Sequence, residues 1–223
     1  MKKLQVAVLG ATGMIGQRFV QLLEDHPYFE IGGLYASERS EGKSLREVMK
    51  LKGIPFDEQT LNMKIEALEP KAIAKRCRLA FSGLPSDVAG DYETSLSKEG
   101  VAVFSNAASH RMVADVPLLI PEVNPDHLEL VRAQPSFANG GFIVTNANCS
   151  TTGLAVPLQA IYKTFGLKAC YVSTYQAVSG AGYPGVPSLD ILGNVVPFIK
   201  NEEEKMEEEI HKMLGAYQDG KVK

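Results

Sequence analysis

The sequence has few cysteines, almost no charge imbalance and no long apolar run, and each of these features argues against a class of function. Its 3 cysteines are too widely spaced for a disulfide framework, and together with the 4 histidines they lack the spacing of a zinc site. The 23 Lys and Arg nearly balance the 26 Asp and Glu, which argues against a basic field for nucleic acid or anionic lipid. No apolar run reaches the roughly 18 residues needed to cross a bilayer. We therefore expect a cytoplasmic protein with no metal and no nucleic-acid or membrane partner.

The chain does have the composition of an ordinary globular protein, 45% hydrophobic and 8% aromatic over 223 residues. Segments of helical spacing alternate with five short apolar runs, at 4–9, 29–36, 78–81, 101–104 and 142–145. This alternation predicts an α/β fold with a parallel sheet. Because the pattern changes near residue 149, we predict a Rossmann-like domain at 1–148 and a second, α+β domain at 149–223.

Three local patterns predict the connections between these elements. Asn124 before Pro125 predicts a capped helix, and residues 169–178 predict β structure. Asn201 followed by glutamates predicts a second capped helix, whose glutamates mostly face solvent. The predicted inner face of that helix consists of Met206, Ile210, Met213 and Leu214.

A glycine-rich turn lies between the first strand and the first helix. Glycines in the spacing G-x-x-G-x-x-G let the backbone approach a phosphate, and the helix N-terminus attracts its charge. We predict a dinucleotide site there, formed by Gly10, Thr12, Gly13, Met14, Ile15 and Gly16. The alternative is a tight turn that needs glycine for its geometry alone.

The end of the second strand indicates which dinucleotide binds. An acidic residue at this point is typical of NAD sites, whereas Ser37, Arg39 and Ser40 offer two hydroxyls and a planar cation suited to a 2′-phosphate. We therefore predict NADP, although Glu38 argues against it and a plain surface loop is the alternative.

Cys149 lies between Asn148 and Ser150, where a strand ends and a helix begins. A helix N-terminus favours the thiolate form of a cysteine, and a nucleophilic cysteine together with a nicotinamide indicates hydride transfer through a thioester. The amides of Cys149 and Ser150 and the Asn148 side chain are candidate oxyanion donors. We expect Cys77 and Cys170 to be small hydrophobic residues of the fold.

Six segments together resemble the aspartate-semialdehyde dehydrogenase family, in particular its archaeal and fungal branch. They are 10–13 (GATG), 37–40 (SERS), 82–89 (SGLPSDVA), 106–112 (NAASHRM), 121–124 (PEVN) and 148–152 (NCSTT). The resemblance covers nearly all of the chain. It implies NADPH-dependent reduction of L-aspartyl-4-phosphate to L-aspartate-4-semialdehyde, a step toward lysine, threonine and methionine.

The resemblance also assigns roles to individual residues. It makes Cys149 the nucleophile, Gln176 the residue that orients substrate, and Arg111 the substrate-phosphate arginine. It places the substrate amino group and phosphate on Glu202 and Lys205, although neighbouring glutamates leave the register open and a salt-bridged helix is the alternative. Further cofactor contacts fall on Ser82, Gly83, Leu84, Ser179 and Gly180.

The sequence departs from the family at its end, because the family's general-base histidine and substrate-carboxylate arginine would follow residue 223. The second domain, which in the family is catalytic and forms the dimer, is therefore expected to be incomplete. We expect a truncated chain, a split protein or a natural short form. This chain alone is expected to bind NADP but to turn over slowly or not at all, and the oligomer is expected to be a homodimer or homotetramer. Two other functions remain open, a malonyl-CoA reductase and a non-catalytic NADP-binding fragment or subunit.

Overall fold

A computed structural model describes residues 2–50 and 55–223, and its centre is a sheet of six parallel strands. The strands are β1 (Leu4–Leu9), β2 (Phe29–Ala36), β3 (Ile65–Ala67), β4 (Leu79–Ser82), β5 (Ala102–Ser105) and β6 (Phe142–Thr145). Their order is β3-β2-β1-β4-β5-β6, which confirms the predicted α/β fold. The order reverses between β1 and β4, and ligands of such sheets bind outside the carboxyl ends of the strands at this point.

Helices connect the strands and form most of the chain after β6. They are α1 (Met14–Leu23), α2 (Leu45–Val48), α3 (Glu58–Asn62), α4 (Pro70–Arg76), α5 (Ser86–Lys98), α6 (Cys149–Phe165), α7 (Ser188–Ile191) and α8 (Glu202–Leu214). Short 3-10 segments lie at Glu38–Ser40, Pro125–Ala133, Phe137–Asn139 and Val178–Ala181. A small antiparallel hairpin follows α8, formed by β7 (Tyr217–Gln218) and β8 (Lys221–Val222). Within the described ranges, none of these helices is long and apolar enough to cross a membrane.

The sheet is covered on both faces, because alternate residues of each strand belong to different apolar clusters. Leu9 of β1 packs in one cluster, which also contains Leu96 of α5. Val8 packs in the other, which also contains Val20 of α1. Burial on both faces explains why the central strands have continuous apolar sequences rather than alternating ones.

A third apolar cluster joins α8 to α6 and to the segment after β5. Met213 is 1% exposed and packs with Leu118 and Ala155, while Ile210 and Leu214 pack against them from α8. Three of the four predicted inner-face residues of α8 therefore point into this cluster. The packing fixes α8 against the carboxyl edge of the sheet.

Three local predictions are wrong. Asn124 does not cap the following helix, because its side chain bonds the Ile120 amide and the Leu118 carbonyl instead, and that helix is 3-10. Asn201 precedes α8 in a left-handed conformation, φ 59°, and its side chain makes no capping bond. Residues 169–178 form no strand, since a strand needs a hydrogen-bonded neighbour and no described strand pairs with them.

Candidate active site

The glycine turn after β1 lies against the loop that follows β4. Gly10 has a φ of +71°, and a Cβ added there would lie 2.6 Å from the carbonyl oxygen of Gly83. A Cβ at Gly16 would collide with the Gly10 carbonyl. The geometric requirement for glycine therefore holds at both positions, because backbone packs directly on backbone at the switch point.

The N-terminus of α1 follows directly from this turn. Gly13 is its N-cap residue, and no side chain caps the helix there. Met14 and Ile15 are the first two residues of the helix, and the Thr12 carbonyl accepts a hydrogen bond of 2.9 Å from the Gln17 side chain. A helix N-terminus without a side-chain cap presents N–H groups and positive dipole to an anion. The turn can thus hold a diphosphate.

The predicted 2′-phosphate residues share one short turn at the carboxyl end of β2. Ser37 precedes the 3-10 segment that contains Arg39 and Ser40, and both Ser37 and Arg39 are exposed. The Nζ atom of Lys43 donates to the Arg39 carbonyl at 2.9 Å, which brings a second cation to this turn. Lys43 was not predicted from the sequence. Its position four residues after Arg39 is the sequence feature that could have indicated it.

The third cofactor segment begins at Ser82, which is buried at the end of β4. Behind it lies Glu93 of α5, which is fully buried and whose Oε1 accepts a hydrogen bond of 2.7 Å from Ser105. Its Oε2 lies 3.6 Å from Nε2 of His110. Burial raises the pKa of Glu93 despite hydrogen bonds from Ser82 and Ser105 that lower it. This buried carboxyl, which sequence reasoning missed, supports the ends of β4 and β5.

Cys149 is the first residue of α6 and is exposed, as a nucleophile requires. The Asn148 side chain caps the helix, because its Oδ1 accepts hydrogen bonds from the amides of Ser150 at 2.8 Å and Thr151 at 3.4 Å. The Ser150 amide is therefore engaged with Oδ1 of Asn148, whereas the donor of the Asn148 carboxamide, Nδ2, donates to Glu202 at 3.2 Å and has a second N–H, so that Asn148 stays a candidate oxyanion donor. The Cys149 amide stays a candidate.

The other two cysteines have different surroundings. Cys77 is buried, and burial raises its pKa to about 11. Cys170 is exposed, which contradicts its expected role as a core hydrophobe. The reason is the absence of the strand predicted around it, so that its side chain is not directed into a sheet.

Gln176 connects Cys149 to α8. Its Oε1 lies 3.7 Å from Sγ of Cys149, and its Nε2 donates to Oγ of Ser150 and to Oε1 of Glu202, both at 2.7 Å. Glu202 also accepts a hydrogen bond of 3.2 Å from the Asn148 side chain. The chain thus brings three predicted site residues together around the thiol.

The surroundings of Glu202 favour the predicted register. Glu202 is 8% exposed, whereas Glu203 and Glu204 face solvent. Burial raises the pKa of Glu202, but hydrogen bonds from Ser150, Gln176 and Asn148 outweigh it, and the net pKa is lowered. Lys205, one turn further along α8, also lowers this pKa through its charge. Glu202 is therefore an anion at neutral pH, beside the cysteine.

Arg111 is buried against α8 rather than exposed to solvent. Its Nη1 pairs with Oε1 of Glu209 at 2.9 Å, and its Nη2 donates to the Asn106 carbonyl at 2.8 Å. The second oxygen of Glu209 accepts a hydrogen bond of 2.7 Å from the Asn148 amide. Glu209 was predicted as part of the solvated face of α8, and its burial corrects that prediction. The signal for it was the spacing of charged residues at 202, 205, 209 and 212, which lie on one helix face.

A cleft of about 550 Å³ opens beside the thiol. Cys149, Gln176, Ser179 and Gly180 are among the residues that line it. The predicted nicotinamide-side loop and the predicted nucleophile therefore share one cleft.

The strand order, the glycine turn at the switch point and the thiol at a helix N-terminus define a Rossmann-type protein with a cysteine site attached to the sheet. The chain belongs to the semialdehyde dehydrogenase family. The family's model for its NAD binding domain matches residues 5–131, and the model for its dimerisation domain matches residues 158–223. These matches confirm the family resemblance stated from the sequence.

Relatives with established names agree with this assignment. The chain is 49% identical over 98% of its length to an aspartate-semialdehyde dehydrogenase of Methanothermobacter thermautotrophicus, and 47% identical over 96% to that of Cryptococcus neoformans. A crystal structure of the Candida albicans enzyme with NADP superposes with a TM-score of 0.86 at 39% identity, over 99% of this chain and 63% of that one. The chain spans 63% and 60% of the length of the two curated relatives.

Proposed function

We propose that the protein is an aspartate-semialdehyde dehydrogenase, which reduces L-aspartyl-4-phosphate with NADPH and releases L-aspartate-4-semialdehyde and phosphate. The observation that carries this proposal is the exposed Cys149 at the N-terminus of α6, with Gln176 and the anionic Glu202 gathered around it. Named relatives at 41% to 49% identity support the same function.

The thiolate of Cys149 begins the proposed reaction by attacking the acyl carbon of the substrate. A C–S bond forms, the C–O bond to the phosphate breaks, and phosphate leaves with the electron pair, so that a thioester remains. Asn148 holds the first turn of α6 and thus the thiol in place. Arg111 and Lys205 are proposed to bind the phosphate group.

Gln176 and Glu202 are proposed to orient the rest of the substrate. Glu202 carries a negative charge suited to the α-ammonium group of aspartate, and Gln176 holds that carboxylate through its Nε2 atom at 2.7 Å. The Oε1 atom of the same carboxamide lies 3.7 Å from Sγ of Cys149. The two residues therefore set the substrate chain relative to the attacking sulfur.

The cofactor site is proposed to lie along the carboxyl edge of the sheet. The turn from Gly10 to Gly16 fits a diphosphate because it lies at the switch point of the sheet and leads into the N-terminus of α1, whose N-cap residue Gly13 has no side chain. Ser37, Arg39 and Ser40 would hold the 2′-phosphate of NADP, with Ser82, Gly83 and Leu84 following β4 beside the glycine turn and Ser179 and Gly180 on the nicotinamide side. NADPH, when bound, supplies the hydride that reduces the thioester. Breaking the C–S bond then releases the aldehyde and returns the electron pair to Cys149.

We further propose that residues 1–148 form the NADP-binding domain, that 149–223 begin the catalytic and dimerisation domain, and that the protein is a cytoplasmic homodimer or homotetramer. The dimerisation-domain match at 158–223 supports the assembly. Large apolar side chains are exposed in the same part of the chain, for example Phe165 at 83% and Tyr171 at 98%. Exposed apolar surface of this kind marks an interaction site.

Replacing the proposed nucleophile tests the function. Cys149→Ser is expected to abolish phosphate-dependent NADPH formation from aspartate semialdehyde, because an unactivated hydroxyl is a far weaker nucleophile than a thiolate. The affinity for NADP should stay within about twofold, since Cys149 does not belong to the proposed nucleotide-phosphate contacts. Steady-state rates and nucleotide titrations on the full-length protein measure the two effects.

Alkylation of the thiols separates this proposal from a purely nucleotide-binding role. Iodoacetamide should modify Cys149 faster than Cys170, which is also exposed, and Cys77 last because it is buried with a pKa of about 11. Equal rates at Cys149 and Cys170, or a Cys149→Ser variant that no longer binds NADP, would argue against the nucleophile.

A further inference from the structure

One carboxylate on α8 contacts both the loop after β5 and the turn before Cys149. Oε1 of Glu209 pairs with Nη1 of Arg111 at 2.9 Å, and its Oε2 accepts a hydrogen bond of 2.7 Å from the Asn148 amide. Glu209 lies 98 residues from Arg111 and 61 from Asn148 in the sequence. A single side chain therefore joins the two segments on which the proposed chemistry depends.

The burial of this group makes its geometry rigid. Glu209 is 2% exposed and Arg111 is 7% exposed. Charge-assisted hydrogen bonds are short and strong, and removal of one member of a buried pair leaves the other charge without compensation. Because each carboxylate oxygen has a different donor, the carboxylate cannot rotate without losing one of its bonds.

The main chain of Arg111 is held by the same helix. Lys212, one turn after Glu209, donates hydrogen bonds to the carbonyls of Arg111, Val113 and Val116 at 2.6, 2.8 and 2.8 Å. Both the side chain and the backbone of Arg111 are thus attached to α8.

The remaining donors of Arg111 are oriented by these contacts. Its Nη2 is engaged with the Asn106 carbonyl, while its buried Nε has no hydrogen-bond partner in the described part of the chain. An oxyanion that reaches this arginine meets a guanidinium group whose plane is already fixed.

We propose that Glu209 is a positioning residue, which sets the placement of Arg111 relative to Cys149 without touching the substrate. This inference rests on the proposed function, in which Arg111 binds the substrate phosphate and Cys149 takes the acyl group. Misplacement of a reacting group by about 1 Å costs on the order of 10²-fold in rate. The effect of losing Glu209 should therefore be kinetic and centred on phosphate.

The test measures phosphate kinetics of the full-length protein with aspartate semialdehyde and NADP⁺. Glu209→Gln keeps the size of the side chain and one acceptor but loses the charge that holds Arg111. We expect a higher KM for phosphate and a lower kcat, together about 10²-fold in kcat/KM, with an unchanged KM for NADP⁺. Glu208→Gln, which removes the neighbouring exposed charge of the same helix, should behave as wild type.

A double variant shows whether Glu209 acts through Arg111. Arg111→Lys combined with Glu209→Gln should lose no more activity than the more impaired single variant, because both changes break one arrangement. If Glu209 contributed only to general stability, the fold-losses in activity of the two single variants would instead multiply in the double variant.

Each outcome decides between the two proposals. Wild-type phosphate kinetics in Glu209→Gln, or multiplied losses in the double variant, would overturn the positioning role while the dehydrogenase function stands. A wild-type protein that forms no NADPH under these conditions would overturn both.

If Glu209→Gln does not fold, Glu209→Asp replaces it, since this shorter carboxylate keeps its charge but cannot span both donors. A raised phosphate KM in that variant supports the inference, and a wild-type KM overturns it.

Discussion

Three glutamates are buried in the part of the chain that the structure describes, and their hydrogen-bond donors give them different properties. Glu93 is buried among two serines and a histidine, and burial raises its pKa. Glu202 receives enough hydrogen bonds to lower its pKa in spite of its burial. Glu209 is paired with Arg111. The same residue type therefore supports the sheet at one position, is proposed to provide a negative charge for substrate at another and is proposed to orient an arginine at the third.

The proposed preference for NADP depends at residue scale on Arg39. Arg39→Ala is expected to raise the KM for NADP⁺ about tenfold, because a hydrogen bond to a charged group contributes about 1.5 kcal/mol or more. The KM for NAD⁺ should not change. Arg18→Ala, which removes an exposed cation of α1, is the matched control for a general loss of positive charge. Unchanged constants for both nucleotides in Arg39→Ala would refute the assignment.

Glu93 predicts a dependence of stability on pH. Its pKa in the folded protein lies above the ordinary 4.5, so the folded state holds this proton more tightly than the unfolded chain does. The wild-type free energy of unfolding therefore loses a contribution as pH rises from about 4.5 through the folded pKa.

Glu93→Gln removes this titration while its carbonyl still accepts the Ser105 hydrogen bond. We expect the variant to gain stability relative to wild type as pH rises through that window, measured by urea unfolding at several pH values. Glu99→Gln, an exposed position just after α5, should show no such trend. Parallel curves for Glu93→Gln and wild type would contradict the prediction.

At the scale of elements, the strands of the sheet and helix α6 follow directly from the sequence. Buried parallel strands need only short apolar runs that end in turn residues, and the chain has such runs at β1, β2, β4, β5 and β6. β3 was missed, because Ile65–Ala67 is too short to show a period. The run at 169–178 was predicted as β structure on composition alone, and composition does not reveal whether a pairing neighbour exists.

The residues of the candidate site likewise divide into those that a local sequence pattern predicts and those that no local pattern predicts. Cys149 and the glycine turn are local signals, since each combines a residue type with a strand end and a helix start. The spacing of charged residues places Glu209 on the same face of α8 as Glu202, but its partner could not be predicted, because Arg111 lies 98 residues away. Apart from that spacing, the sequence shows nothing that separates Glu209 from the four exposed glutamates of α8.

The attachment of α8 to the sheet predicts a stability effect at Lys212. Lys212→Met removes one donor from each of three backbone carbonyls, and among the described residues only that of Val113 keeps another, from the Val116 amide, so the free energy of unfolding should fall by about 2 kcal/mol or more. Chemical denaturation measures the change. Lys163→Met, at an exposed position in α6, is the control. If the two variants had the same free energy of unfolding, the three hydrogen bonds would make no net contribution to stability.

At the scale of the whole molecule, the segment after β6 is attached to the sheet by polar bonds as well as by apolar packing. The His127 ring lies 2.9 Å from the Gly215 carbonyl, and Gln159 donates to the Val123 carbonyl at 2.6 Å. Together with the Glu209 and Lys212 contacts, these bonds place the cysteine, the arginine and the glycine turn in one frame. The proposed enzyme depends on this frame, because thiol, phosphate and nicotinamide must meet in one cleft.

In the proposed reaction, Cys149 carries the acyl group while NADP⁺ takes the hydride. The direct measurement mixes the full-length protein with aspartate semialdehyde and NADP⁺ in the absence of phosphate and follows NADPH from the first milliseconds. We predict a rapid phase of about one NADPH per Cys149 that then slows, because the thioester has no phosphate to accept its acyl group. Adding phosphate should restore turnover, and Cys149→Ser should lack the rapid phase. Equal steady rates with and without phosphate, or no NADPH while NADP⁺ is bound, would contradict the account.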